Sequence, residues 1–168
     1  MNNKKNNGDN FLKYICYFLA IILSVFIVYF VKSQIEHYEL SNHPKINELR
    51  SIFINFFKKE RYWSGKLSML NEVNLMDKIN LYRGDKSYTI NKKNIYICLR
   101  DENQKYYPMN MLVYVTAHEI SHVLCNSVGH TEEFHDIFDA LLLELTRDGI
   151  YNPSDEIILD YCENGDSF

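Results

Sequence analysis

The chain reads as an α+β domain behind a single transmembrane helix. Three observations predict this. Residues 14–31 run eighteen positions without a charge. Residues 79–100 hold three short β-forming runs separated by turn residues. Residues 108–145 hold two segments whose apolar side chains recur at helical spacing. At 168 residues the chain is long enough for one domain with a real core.

The elements follow in order. Residues 1–13 are a polar tail, Asn/Lys-rich and expected to be disordered. The run "YICYFLAIILSVFIVYFV" (14–31) comes next. At about 1.5 Å per residue it reaches roughly 27 Å, enough for a hydrocarbon core. Tyr14, Tyr17 and Tyr29 sit toward its ends, as interfacial rings do, and Lys13 and Lys32 bracket it. A cleaved signal peptide is the rival reading. It would have a shorter apolar core and a small-x-small site after it, whereas "YFVKSQIEHYEL" has no such site. An uncleaved single-pass anchor is therefore expected. Lysines on both sides leave its orientation poorly set.

Residues 32–43 are expected as a connector, and 44–168 as the folded domain. Pro44 suits a first helical turn. Ile46, Leu49, Ile52, Phe53, Phe56 and Phe57 then fall on one helical face, and Gly65 breaks the pattern. "INLYR" (79–83), "SYTI" (87–90) and "IYICLR" (95–100) predict a small antiparallel sheet with "GDK" and "NKKN" turns. The tripeptide "RGD" at 83–85 reads as ordinary turn chemistry. Pro108 opens a helix to about Ser127, and Gly129 offers a left-handed stop. Thr131 caps the next helix, whose Phe134, Ile137, Phe138, Leu141, Leu142 and Leu145 form an apolar stripe. Gly149 and Pro153 end it. "DEIILDY" (155–161) has no assignable element.

Cysteines stand at 16, 98, 125 and 162, with no C-x-x-C pair. Neither a disulfide framework nor a cysteine zinc finger is suggested, and buried or unpaired thiols are expected.

The chemistry lies in "HEISHVLCNSVGHTEEF" (118–134). His118 and His122 are four apart, so a helix sets them on one face with Cβ atoms about 5–6 Å apart. Two imidazoles there can reach one ion at about 2.0–2.1 Å. Glu119 is rotated by roughly 100° along the helix. That keeps it out of the ligand set and brings it beside a water. Glu119 is thus the candidate general base of zinc-dependent peptide hydrolysis. Shuffling this composition yields the H-E-x-x-H pattern roughly 0.01 times, so chance within the chain is a poor explanation. A third ligand is needed. His130 follows Gly129, where a turn can fold it back, whereas His135 lies inside the next helix. His130 is the expected ligand. Cys125 shares the stripe but lies about 10.5 Å along the axis from His118, too far to join.

From Trp63 onward the chain resembles the WLM, or Wss1-like, metallopeptidase domain, a relative of the SprT-like zincins. The matching segments are "WSGKLSMLNE", "IYICLRDENQKYYP", "HEISH" and "HTEEF", and the resemblance covers about residues 44–148. It implies a compact α+β zincin-like fold, with a small antiparallel sheet, an active-site helix and a following helix that brings the third ligand. By position it makes His118, His122 and His130 the Zn²⁺ ligands and Glu119 the catalytic acid/base. Phe134 becomes the aromatic packed behind the site. Two departures stand out: the spacer before the third histidine is longer, and His135 stands where the family often has a bulky aromatic. The metzincin pattern is excluded, because it requires glycine at Cys125 and histidine two residues before His130.

The family's best-known role, proteolysis of proteins crosslinked to DNA, finds little support here. Residues 32–168 carry 15 Lys/Arg against 21 Asp/Glu, a net of −6 that does not favour nucleic acid. The expectation is a membrane-anchored zinc metallopeptidase acting on a protein or peptide. Two alternatives stand beside it: a catalytically inactive zincin-like binding module, and a structural membrane protein of a large DNA virus, suggested by the Asn-, Ile-, Lys- and Tyr-rich composition. Tyr106, Tyr107 and Tyr114 are candidate oxyanion donors.

Overall fold

The computed structural model describes residues 3–72, 74–159 and 161–162, with side chains from Phe11 onward. It is α+β. Two compact units succeed each other in the chain, residues 1–39 and 40–168.

The first unit is essentially one helix, α1 (Asn3–Ser41). Its stretch Phe11–Ser41 has a mean hydropathy of 2.6 over its most apolar window and none of that window buried. It is long and apolar enough to cross a membrane. The polar tail expected to be disordered is helical from Asn3, and most of the connector is helical as well. Residues 1–2 lie outside the described residues. Extending a helix costs far less than starting one, so polar flanks are carried along by the apolar run.

The second unit begins with α2 (Pro44–Lys58), where Pro44 holds the first position and the His43 ring accepts from Lys45 N–H at 3.2 Å. Ile46, Leu49, Phe53 and Phe56 are fully buried. Burying four such side chains stabilises by roughly 1.5–3 kcal/mol each. Arg50 ties this helix to the sheet by donating to Leu81 O at 2.9 Å. Two short 3₁₀ helices follow, at Gly65–Asn71 and Leu75–Asp77. Asn71 closes the first onto Trp63, accepting from its N–H at 2.8 Å and donating to its carbonyl at 2.7 Å. Trp63 is thereby buried against Phe56, with ring centroids 5.5 Å apart.

Strands β1 (Asn80–Gly84), β2 (Tyr88–Ile90) and β3 (Asn94–Cys98) occupy the three predicted β-forming runs. Their order is β1-β3-β2. The sheet is mixed rather than antiparallel, because β1 pairs with β3 in parallel and only β2–β3 is antiparallel. The cause lies in the link 85–87, which steps over the end of β3 instead of closing a hairpin. Next-nearest strands lie about 9.6 Å apart, within reach of four Cα–Cα steps of about 3.8 Å. Gly84 permits the sharp exit: a Cβ there would lie 2.5 Å from Lys86 O and 2.9 Å from Tyr96 Cβ. Ser87 then receives the Cys98 N–H at 3.0 Å. Leu81, Ile95 and Thr89 share one register row that faces the helices. Tyr82, Tyr96 and Tyr88 form the adjacent row and stack as a ladder.

Helix α3 (Met109–Leu124) packs on the sheet and α4 (Glu132–Arg147) packs on α3. α3 stops three residues short of the expected Ser127. Cys125 adopts an extended conformation while its N–H still reaches Ser121 O at 2.8 Å. Gly129, with φ +83°, lies in the loop beyond rather than at the helix end. Thr131 caps α4 through Phe134 N–H. Phe134, Ile137, Phe138, Leu141 and Leu145 are buried, and Leu142 packs at the edge of the core. Gly149, at φ +68°, follows the last turn.

Residues 152–162 contain no helix or strand among those described, but Tyr161 is buried. The expectation of unpaired thiols fails for two cysteines: Cys98 and Cys162 form a disulfide across 64 positions. Pairing between the end of a strand and a distant tail has no spacing signature. Cys125 is a buried free thiol and Cys16 an exposed one.

Candidate metal centre and active-site cleft

Burial along α3 explains how its histidines and Glu119 are aimed. His118 and Glu119 are only 6% and 4% exposed, each facing the interior from one side of the helix. Four residues on, His122 repeats the direction of His118. The chain then leaves the helix, turns at Gly129 and returns His130 to the same point. The side-chain nitrogens of His118, His122 and His130 lie within 4.8 Å of one another. The His118 Nε2 is 3.2 Å from that of His122 and 3.0 Å from that of His130.

Those separations test whether a metal fits. A tetrahedral ion with bonds of about 2.0–2.1 Å sets its ligands about 3.3 Å apart. Hydrogen bonding among the rings is a poor substitute. One imidazole nitrogen has a single proton or a single lone pair, so His118 Nε2 cannot satisfy both neighbours. Burial, with smaller contributions from His122, His130 and His135, pushes the His118 imidazole down to about 3. It is therefore neutral at physiological pH, as a metal ligand has to be. Three imidazoles converging with a fourth direction left open suit a zinc ion. His135 is exposed on α4, its ring centre 6.4 Å from that of His130, outside the triad.

Phe134 forms the back wall. Its ring is stacked on His122 at 4.3 Å and meets His118 edge-on at 4.9 Å. The "HTEEF" spacing follows from this: the Thr131 cap starts α4 so that its first buried residue lies under the imidazoles.

Glu119 lines the same cleft and reaches toward β2. Thr89 Oγ1 donates to its Oε2 at 2.7 Å and lies 3.2 Å from its backbone carbonyl. The register places Thr89 beside Ile95 on the helix-facing row, which is why a strand side chain reaches the glutamate. Thr89 is the neighbour that sequence reasoning missed. Its alternation within β2 was readable, but not which helix residue it would face.

A cleft of about 590 Å³ joins these groups, lined by Tyr88 and Thr89 on one side and His118, Glu119, His122 and His130 on the other. That volume is in the range of small-molecule or side-chain sites. Tyr161 and Cys162 complete one end. Tyr161 OH donates to Cys98 O and lies 3.0 Å from Ser87 Oγ. Burial raises its phenol above the usual tyrosine value. The three candidate tyrosines, Tyr106, Tyr107 and Tyr114, do not line the cleft. Tyr106 lies under Arg100, Tyr107 accepts from Cys162 N–H, and Tyr114 packs against Phe138 and Tyr151. Tyr88 and Tyr161 are the tyrosines that line the cleft. The Tyr88 ring stacks on Tyr96, whereas the Tyr161 phenol is close enough to feel the Glu119 carboxylate, which adds to its rise.

The loop carrying His130 is held by Glu133. Hydrogen bonds from Ser127, the Asn126 backbone and Cys125 draw its carboxyl down to about 2.

The chain is similar to proteins of viruses. It is 45% identical over 103 residues to "Uncharacterized protein 136R" of Invertebrate iridescent virus 6, covering 60% of this chain and 58% of that protein. It is 39% identical over 99 residues to "Uncharacterized protein 042R" of Invertebrate iridescent virus 3, covering 58% and 62% respectively. Over 58 residues it is 41% identical to "Uncharacterized protein R325" of Acanthamoeba polyphaga mimivirus, 33% of this chain and 29% of that protein. The chain thus spans about three-fifths of the length of the two iridescent-virus relatives. No family model matches it, and no solved structure matches it significantly.

Proposed function

We propose that the protein is a membrane-anchored zinc metallopeptidase of zincin-like, Wss1-like type. The observation that carries this reading is the meeting of three imidazole Nε2 atoms with a buried, strand-supported Glu119 in one open cleft. A zinc ion held by His118, His122 and His130 would supply Lewis-acid chemistry, lowering the pKa of water and polarising a peptide carbonyl. The chain's own residues do the rest. Glu119 takes a proton on its carboxylate from the attacking water and hands it to the leaving amine. Thr89 holds one oxygen of that carboxylate, which fixes the plane in which the proton is received. Phe134 excludes water behind the imidazoles and keeps them at a common point.

Metal content tests this first. The full chain in detergent is expected to hold about one Zn²⁺. His130→Ala should weaken binding far more than His135→Ala, because only His130 shares the point where the other two nitrogens meet. Equal effects, measured by metal analysis after dialysis, would remove the ligand assignment.

The anchor is tested separately. Residues 1–40 fused to a soluble reporter should stay in membranes through alkaline carbonate washing, since the uncharged run 14–31 of α1 is long enough to cross a hydrocarbon core. A shortened, soluble product would instead mark a cleaved signal. The viral relatives suit a virion or host membrane as the setting. They equally suit a structural membrane protein, and loss of Glu119 chemistry distinguishes the two.

A further inference from the structure

Seven residues separate His122 from His130, and 125–129 of these lie outside any helix. A loop of that length delivers a ligand only if something holds it. If it were loose, its ordering entropy would oppose metal binding. Two side chains from different parts of the chain hold this loop, Glu133 at Cys125, Asn126 and Ser127 and Lys92 at Cys125 and Asn126. From α4, Glu133 Oε2 accepts from Ser127 Oγ at 2.8 Å and Ser127 N–H at 3.3 Å. Its Oε1 accepts from Asn126 N–H at 3.3 Å and from Asn126 Nδ2 at 3.2 Å. From the opposite side, Lys92 Nζ donates to Cys125 O and, at 3.1 Å, to Asn126 O. Acceptors and donors of the loop backbone are thus both engaged.

The position of Lys92 adds an independent observation. Asn91 and Lys92 have φ +53° and +50°, and Lys93 N–H closes on Ile90 O at 3.1 Å. A two-residue turn with both central residues left-handed is ordinarily Asn-Gly. Lysine at the second position is strained, whereas glycine would be free of strain there. A strained residue that persists points to a task for its side chain. Here the ammonium reaches 33 positions along the chain to the metal-site loop.

We infer that Glu133 and Lys92 are positioning residues of the metal centre, clamping residues 125–127 from two sides so that His130 meets His118 and His122. The inference rests on the reading of those histidines as zinc ligands. Neither residue touches the ion. Their effect is on metal affinity through loop order, as outer partners of metal ligands commonly act.

The experiment titrates Zn²⁺ against a chromophoric chelator at near-neutral pH, using the full chain in detergent. Wild type is compared with Glu133→Ala, Glu133→Gln, Lys92→Gly and His130→Ala. Glu133→Ala should weaken zinc binding by about 10–100-fold. Glu133→Gln should fall between it and wild type, since the amide keeps one acceptor oxygen and turns the other into a donor facing donors. Lys92→Gly is the decisive variant. It removes strain from the turn, so the unfolding midpoint of the metal-free protein should not fall, yet zinc affinity should. If Lys92→Gly and Glu133→Ala bind zinc like wild type while His130→Ala does not, the clamp is refuted and the ligand set stands. If they weaken zinc only as far as they destabilise the metal-free protein, the clamp is likewise refuted in favour of a purely structural role. If His130→Ala also binds like wild type, the metal-site reading itself fails and the inference goes with it.

Discussion

Replacing Glu119 by glutamine is expected to cut peptide hydrolysis by at least about 10²-fold while leaving zinc in place. The magnitude is the lower end for losing a general acid–base group. The separation of the two effects follows from geometry. Glu119 lies next to His118 in sequence but reaches Thr89 of β2 and is not one of the three groups whose nitrogens converge. Glutamine has the same size. Its amide oxygen can still accept from Thr89 Oγ1, so the buried position stays satisfied and the helix is not disturbed. What disappears is the basic carboxylate. His122→Ala should behave differently and lose metal and activity together, because it deletes a ligand. The assay uses protein substrates, including the protein itself, with metal content measured on the same preparations. Equal cleavage by wild type and Glu119→Gln would defeat the proposed mechanism. Zinc retained by both with cleavage by neither would put the inactive binding module ahead of the enzyme.

Much of this site was legible because its signals are local. The His118–His122–Glu119 set is fixed by helical period alone, and Gly129 with Thr131 announces the turn and cap that return His130. The stripe of α4 and the Pro44 helix were readable for the same reason. What could not be read depends on contacts distant in sequence. Strand period identifies β1, β2 and β3 but does not say that β3 lies between the other two. That order puts Thr89 over Glu119 and so decides which hydroxyl supports it. The early end of α3 is also a tertiary effect. Glu133 and Lys92 engage the backbone at 125–127, which competes with continuing the helix to Ser127. Tyrosine was too abundant to single out from the sequence, with 13 in the chain. Only the fold separates Tyr88 and Tyr161, which line the cleft, from the packed Tyr107 and Tyr114.

The Cys98–Cys162 bond was the least legible feature, and its removal is expected to have the second large effect. A crosslink restricts the unfolded chain in proportion to the logarithm of the loop that it closes. For a separation of 64 residues, the chain-entropy relation corresponds to about 4 kcal/mol. Small domains have total stabilities of about 5–15 kcal/mol, so the loss would be a large fraction of the whole. The bond also has a local task. It fastens the tail to the end of β3, where Tyr161 lies against Ser87 and the Cys98 carbonyl at one end of the cleft. Cys162 N–H, held by Tyr107 OH at 3.0 Å, completes the attachment. The chain's single tryptophan, Trp63, is buried and reports unfolding without a label. Urea titrations of the full chain in detergent, oxidised and reduced, should give a lower midpoint on reduction. Cys98→Ser with Cys162→Ser should match the reduced wild type. Cys125→Ser, which alters a free thiol, should leave the difference between oxidised and reduced protein intact. A midpoint indifferent to reductant and to the double substitution, with alkylation showing both thiols released, would mean that the tail is held by Tyr161 and its hydrogen bonds alone.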